Sequence, residues 1–143
     1  MDKVSTLKKW FKEVWEKENS KTIFEIFVPE DDGMAHGLAK EKGIVPKEFE
    51  QFQKSLLKLI KEVRLSIDSY IENDDFIAAD CTLNALDRKT GKKKIQIKGC
   101  VIAKITEGKI RTANNHFDFL HLFEALGLLP NNVFAKCLDG EKL

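Results

Sequence analysis

Near Arg64 the hydrophobic period of the chain changes, and that change constrains the fold more than any other feature. Upstream, apolar residues recur at three- and four-residue steps, as in amphipathic helices; downstream they alternate with polar ones, as in half-buried strands. Val4, Leu7, Trp10, Phe11, Val14 and Trp15 form the first helical stripe, with Asp2 or Ser5 available as its cap. Asn19-Ser20 breaks that stripe and opens a short second helix whose buried side is Ile23, Phe24 and Phe27, ended by Pro29. Pro46 opens a third, carrying Phe49, Phe52, Leu56, Leu59, Ile60 and Val63 through to Arg64. Residues 30–43 are the least regular: Asp31, Asp32, Gly33, Gly37 and Gly43 surround Met34-Ala35-His36, and the segment reads as a loop with room for a short strand.

From Leu65 to Glu72 apolar and polar residues alternate, and Asn73-Asp74-Asp75 forms a turn. A second strand spans 76–87, and Arg88-Lys89-Thr90-Gly91 makes a hairpin connection into a third over 94–105. Glu107-Gly108 turns the chain into a fourth strand, 109 to about 117, followed by a short apolar helix over 119–128. Strands joined by tight turns are antiparallel, so the expectation is an α+β domain with three N-terminal helices packed on an antiparallel sheet. The 143 residues suit one domain, with a core over about 7–129 and a tail over 130–143.

A net charge of +1 supplies no field for nucleic acid, and no apolar run approaches the roughly 20 residues of a membrane span. The polar start over residues 1–9 is unlike a signal peptide, and Cys81, Cys100 and Cys137 have no paired spacing. A cytoplasmic protein with free thiols is the expectation, with Cys81 and Cys100 as small buried hydrophobes. The cations from Arg88 to Lys98 read as a solvated hairpin, since no aromatics interleave with them.

Strict alternation along the last strand puts Asn114, His116 and Asp118 on one face, and Arg111, Ala113, Asn115 and Phe117 on the other. If the first face lined the interior, burial would raise the Asp118 pKa and suit it to moving a proton beside a carbonyl. The competing reading is that Asp118 caps the last helix. His36 and His116 are the other proton-transfer candidates. His116, Asp118 and His121 do not have a standard metal spacing.

Gly108-Lys109-Ile110, with Asp118 eight residues after Ile110 and Ala125-Leu126-Gly127 closing the segment, resembles the SnoaL-like polyketide cyclases of the nuclear transport factor 2-like superfamily. Asn114 stands where that family has a Trp. Trp10, Phe11 and Trp15 resemble its first helix, Met34-Ala35-His36-Gly37 its hydrophobic-His-Gly segment, and Gly43 with Phe49 the opening of its third helix; Gly99 matches a strand glycine. The fit to the sister ketosteroid isomerases is poorer, because no Tyr lies near Phe11 and His36 stands about where their basic Asp would be. The resemblance implies a cone-shaped, cystatin-like roll with a strongly curved sheet, and a hydrophobic carbonyl compound, polyketide-like, bound in the cone. Asp118 would be the acid/base of a cyclisation or isomerisation, with His36 as its catalytic partner. Asn114, His116, Trp10 and Phe52 would contact the substrate. It implies no cofactor and no metal, and a homodimer paired through the sheet. A non-catalytic ligand-binding or dimerisation module is the alternative.

Overall fold

The computed structural model describes residues 2–30, 34–39 and 42–143. Helix α1 (Lys3–Trp10) is capped by Asp2, whose carboxylate accepts from the Ser5 amide at 2.8 Å. It continues as a π-helical turn over Phe11–Glu16. Within that turn the Val14 carbonyl accepts from Nε2 of Gln53 at 2.8 Å, tying the widened helix to α3 through a buried amide. Helix α2 spans Lys21–Ile26 and α3 spans Pro46–Leu59. Strands β2 (Ile60–Glu72), β3 (Phe76–Asp87), β4 (Lys94–Thr106) and β5 (Lys109–Phe117) form an antiparallel meander, then α4 (Phe119–Ala125) and α5 (Val133–Leu138) close the chain.

The sheet is mixed rather than purely antiparallel. A two-residue strand, β1 (Ala35–His36), joins β5 in parallel, giving the order β1-β5-β4-β3-β2. Of the loop expected over residues 30–43, residues 31–33, 40 and 41 lie outside the described residues.

The sheet curves because three bulges each place one extra residue against its partner strand. Strand β2 gains one between Lys61 and Arg64, where Glu62 takes φ 50°, and another at Asp68. Strand β5 gains one at Arg111, since Lys104 and Ile105 of β4 face Thr112 and Ile110.

The first bulge corrects the expected third helix. Ile60 and Val63 are both buried, a three-residue step that mimics a helical stripe, yet they lie on β2 and α3 ends at Leu59. Phe24 is the other correction in this half. It is 50% exposed, because α2 turns Thr22, Ile23 and Ile26 inward instead. The tail, which carried no clear pattern, forms α5 and is anchored by buried Val133.

The helices pack on the concave face, where β3 and β4 direct Ile77, Ala79, Leu83, Ile97, Val101 and Ile105 inward. Cys81 shares that face, and burial pushes its thiol up to about 12. Cys100 points the other way and is only half-buried, unlike the small core residue expected of it.

Candidate functional site

An aromatic network fills the mouth and throat of the cone. Phe49 of α3 sits at its centre, edge-on to Trp10 at 5.1 Å, to Trp15 at 6.1 Å and to Phe27 at 6.1 Å, and 5.9 Å from Phe52. The chain of contacts runs outward through Phe52 and Phe119 to Phe123. The π-helical turn brings Trp10, Phe11 and Trp15 onto one wall, because its wider turn keeps side chains four and five apart on a common face.

These rings leave a cavity of about 40 Å³. Its helical wall is Trp10, Phe11, Trp15, Phe49, Phe52 and Leu56; Leu65, Leu83 and Phe117 come from the sheet, and Leu38 and Phe119 stand beside it. Asn115 is the single polar residue in the lining. A second void of about 20 Å³ lies deeper and shares Trp10, Phe11, Phe49 and Asn115.

Of the residues singled out from the sequence, Trp10 and Phe52 line this cavity. The other four do not. Asn114, His116 and Asp118 are exposed on the outer face of the sheet, while Ala113, Asn115 and Phe117 turn inward. The bulge at Arg111 is the cause. Ile110 is buried, and strict alternation from it would bury Thr112, Asn114 and His116; one extra residue inverts that phase, so Ala113 is buried instead.

Asp118 does what the competing reading assigned to it. Its Oδ1 accepts from the His121 amide at 3.0 Å, capping α4. His116 and Asp118 do share a shallow outer groove, together with Asp80, Lys98 and Cys100. Beside it, Lys98 donates to Asp68 at 2.6 Å and to Thr82 at 2.9 Å, and these partners hold the Asp68 carboxyl below its usual range. Among the described residues no group of three His, Cys, Asp or Glu side chains is arranged to hold a metal ion. His36 is exposed on β1, its ring resting against Gly43.

Asn115 is the residue that sequence reasoning missed as a site candidate. A signal was present: it lies between Ala113 and Phe117 in the alternation, and a polar residue between two apolar ones on one strand face is the position to examine.

Helices laid on the concave face of a bulged, curved sheet, enclosing an aromatic cavity, define the cone of the nuclear transport factor 2-like class. The model of the SnoaL-like polyketide cyclase family matches residues 5–126, and the chain belongs to that family. Solved structures of the same fold include a proposed polyketide cyclase from Bacillus cereus, 18% identical with a TM-score of 0.73, covering 88% of this chain and 80% of that one. TsrD from Streptomyces laurentii is 17% identical with a TM-score of 0.70, covering 90% of this chain and 99% of its own. AclR from Streptomyces galilaeus, a proposed hydroxylase, is 16% identical with a TM-score of 0.68, covering 89% and 83%. No curated protein is significantly similar in sequence. Identities this low speak for the fold alone. No helix among the described residues is long and apolar enough to cross a membrane.

Proposed function

We propose that the chain binds a small apolar molecule inside the cone, gripped by the aromatic wall and oriented by Asn115. The lining carries this reading: it is aromatic and aliphatic apart from the neutral Asn115 amide, and none of its residues is charged. A charged ligand would lose its hydration there with no counter-ion to replace it. If the cavity hosts the cyclisation or isomerisation for which the family is named, positioning by the walls is what the protein contributes.

A second reading keeps Asp118 as an acid/base with His36 as its partner, acting on a hydrophobic carbonyl compound. It is supported by family membership and by the groove that Asp118 shares with His116. It requires a substrate lying against the outer face rather than in the cone.

Asp118 variants separate the two. As a cap only, Asp118→Ala should cost about 1 kcal/mol of stability and Asp118→Asn far less, because asparagine caps equally well. Both should leave binding in the cone unchanged when followed through the Trp10 and Trp15 indole resonances. Turnover of a carbonyl substrate that Asp118→Asn abolishes without loss of melting temperature would favour the second reading.

The expected pairing of two copies through the sheet remains a proposal. It is supported by an apolar row across the outer face, Ile71, Ala78 and Ile102, with Phe76 beside it; Ile71 is 79% exposed. Sedimentation velocity should return a dimer that Ile102→Glu converts to a monomer. A monomeric parent protein at tens of micromolar sinks the pairing.

A further inference from the structure

We infer that the occupant of the cone is a neutral molecule no larger than one ring that presents a hydrogen-bond donor, a hydroxyl or N–H, to Oδ1 of Asn115. This rests on the ligand-binding reading above.

The geometry that supports it begins at β1. Nδ2 of Asn115 donates to the His36 carbonyl at 3.0 Å. That carbonyl is held by the pairing of Ala35 with Ala113 and His36 with Asn114, and by the close seat of Gly37 against the Asn115 backbone. Flipping the amide would set Oδ1 against the His36 oxygen, two acceptors face to face, so the amide has one orientation. Oδ1 is then left as an acceptor without a described partner, beside the second N–H of Nδ2. No described protein group donates to it, and Asn115 lines both voids.

Asn115 is half-buried and also borders the outer groove, so a molecule that fills the cavity and covers its amide strips water from Oδ1. A donor restores the lost hydrogen bond; a hydrocarbon or a carbonyl compound leaves the acceptor dry and unpaired. Sites built around such a group discriminate against analogues that lack the matching one. Size is set by the walls. Voids of about 40 and 20 Å³ are well below the roughly 150 Å³ that holds a benzene ring, so even one ring must displace aromatic side chains, and a fused polycycle has no room.

The test uses the full chain labelled with ¹⁵N, titrated separately with phenol, toluene and benzaldehyde. The probes are the indole N–H resonances of Trp10 and Trp15 and the Asn115 side-chain amide. Phenol is expected to bind about tenfold more tightly than either analogue, a ratio that falls to near one in Asn115→Leu. Equal affinities in the parent protein, or a preference that survives in a folded Asn115→Leu, overturn the donor inference and leave the cavity reading in place. If none of the three ligands moves the indole resonances at saturation in water, the cavity reading falls as well. Should the leucine variant fail to fold, the three affinities of the parent protein decide alone.

Discussion

Truncating Phe49 to alanine is expected to lower the unfolding free energy by about 3–5 kcal/mol, as for other large aromatic residues removed from a packed core. Phe49 is 4% exposed and contacts four rings, from Trp10 to Phe52, so its removal empties the centre of the aromatic network instead of trimming its rim. Edge-to-face pairs add about 0.5–1.5 kcal/mol each beyond burial, and no smaller side chain restores the three that Phe49 makes. Phe49 also lines both voids, so truncation should enlarge the space they enclose. Urea unfolding is the measurement: the midpoint should fall with an unchanged slope, and Phe49→Leu should lose markedly less. A loss below about 1 kcal/mol for the alanine variant would mean that the surrounding rings collapse freely, and that the cavity is not rigidly framed.

Gly37→Ala should be nearly as damaging, for a backbone reason. Gly37 has φ +86°, where an L side chain is strained by about 1–3 kcal/mol even in open space. Here the space is closed: an added Cβ would lie 1.8 Å from the Asn115 carbonyl oxygen. Since that oxygen belongs to a strand also paired on its other side to β4, β1 must move away. Two contacts would go with it, the hydrogen bond from the Ala113 amide to Met34 at 3.2 Å and that from Asn115 to His36 at 3.0 Å. The expected result is a lower melting temperature together with faster hydrogen exchange at the Ala113 amide. Unchanged exchange at Ala113 would show that β1 tolerates the methyl group and that β1 does not fix the Asn115 amide.

Where the sequence misled, an inserted residue was the cause. At Ile60 and Val63 a bulge produces buried residues three apart inside a strand, indistinguishable by spacing from the stripe of α3 that precedes it. At Ile110 and Ala113 the same device recurs, and there it reverses which residues enter the cone: Asn115 is inside, while Asn114, His116 and Asp118 are outside. Family spacing could not reveal this, because spacing counts residues and a bulge changes which face each count falls on. The cap role of Asp118, by contrast, was readable, since an aspartate before an apolar helix has a local reason to be there. Trp10 and Phe52 were readable as cavity wall for a related reason: aromatic residues on the inward stripe of a helix face the space that the helix covers.

The chain's own order of residues determined the helices before Leu59, the four-strand meander with its turns, and the aromatic stock of the interior. All of these follow from periodicity and turn chemistry acting over a few neighbouring residues. Only the tertiary structure decided that β1 pairs in parallel with β5, that the sheet bends at three points, and that the cavity's single polar group is the Asn115 amide. Those outcomes depend on partners up to 79 residues apart in the chain, as the Asn115–His36 hydrogen bond is. With a side-chain period of two, one extra residue accepted by a distant strand exchanges inside for outside along the rest of the element.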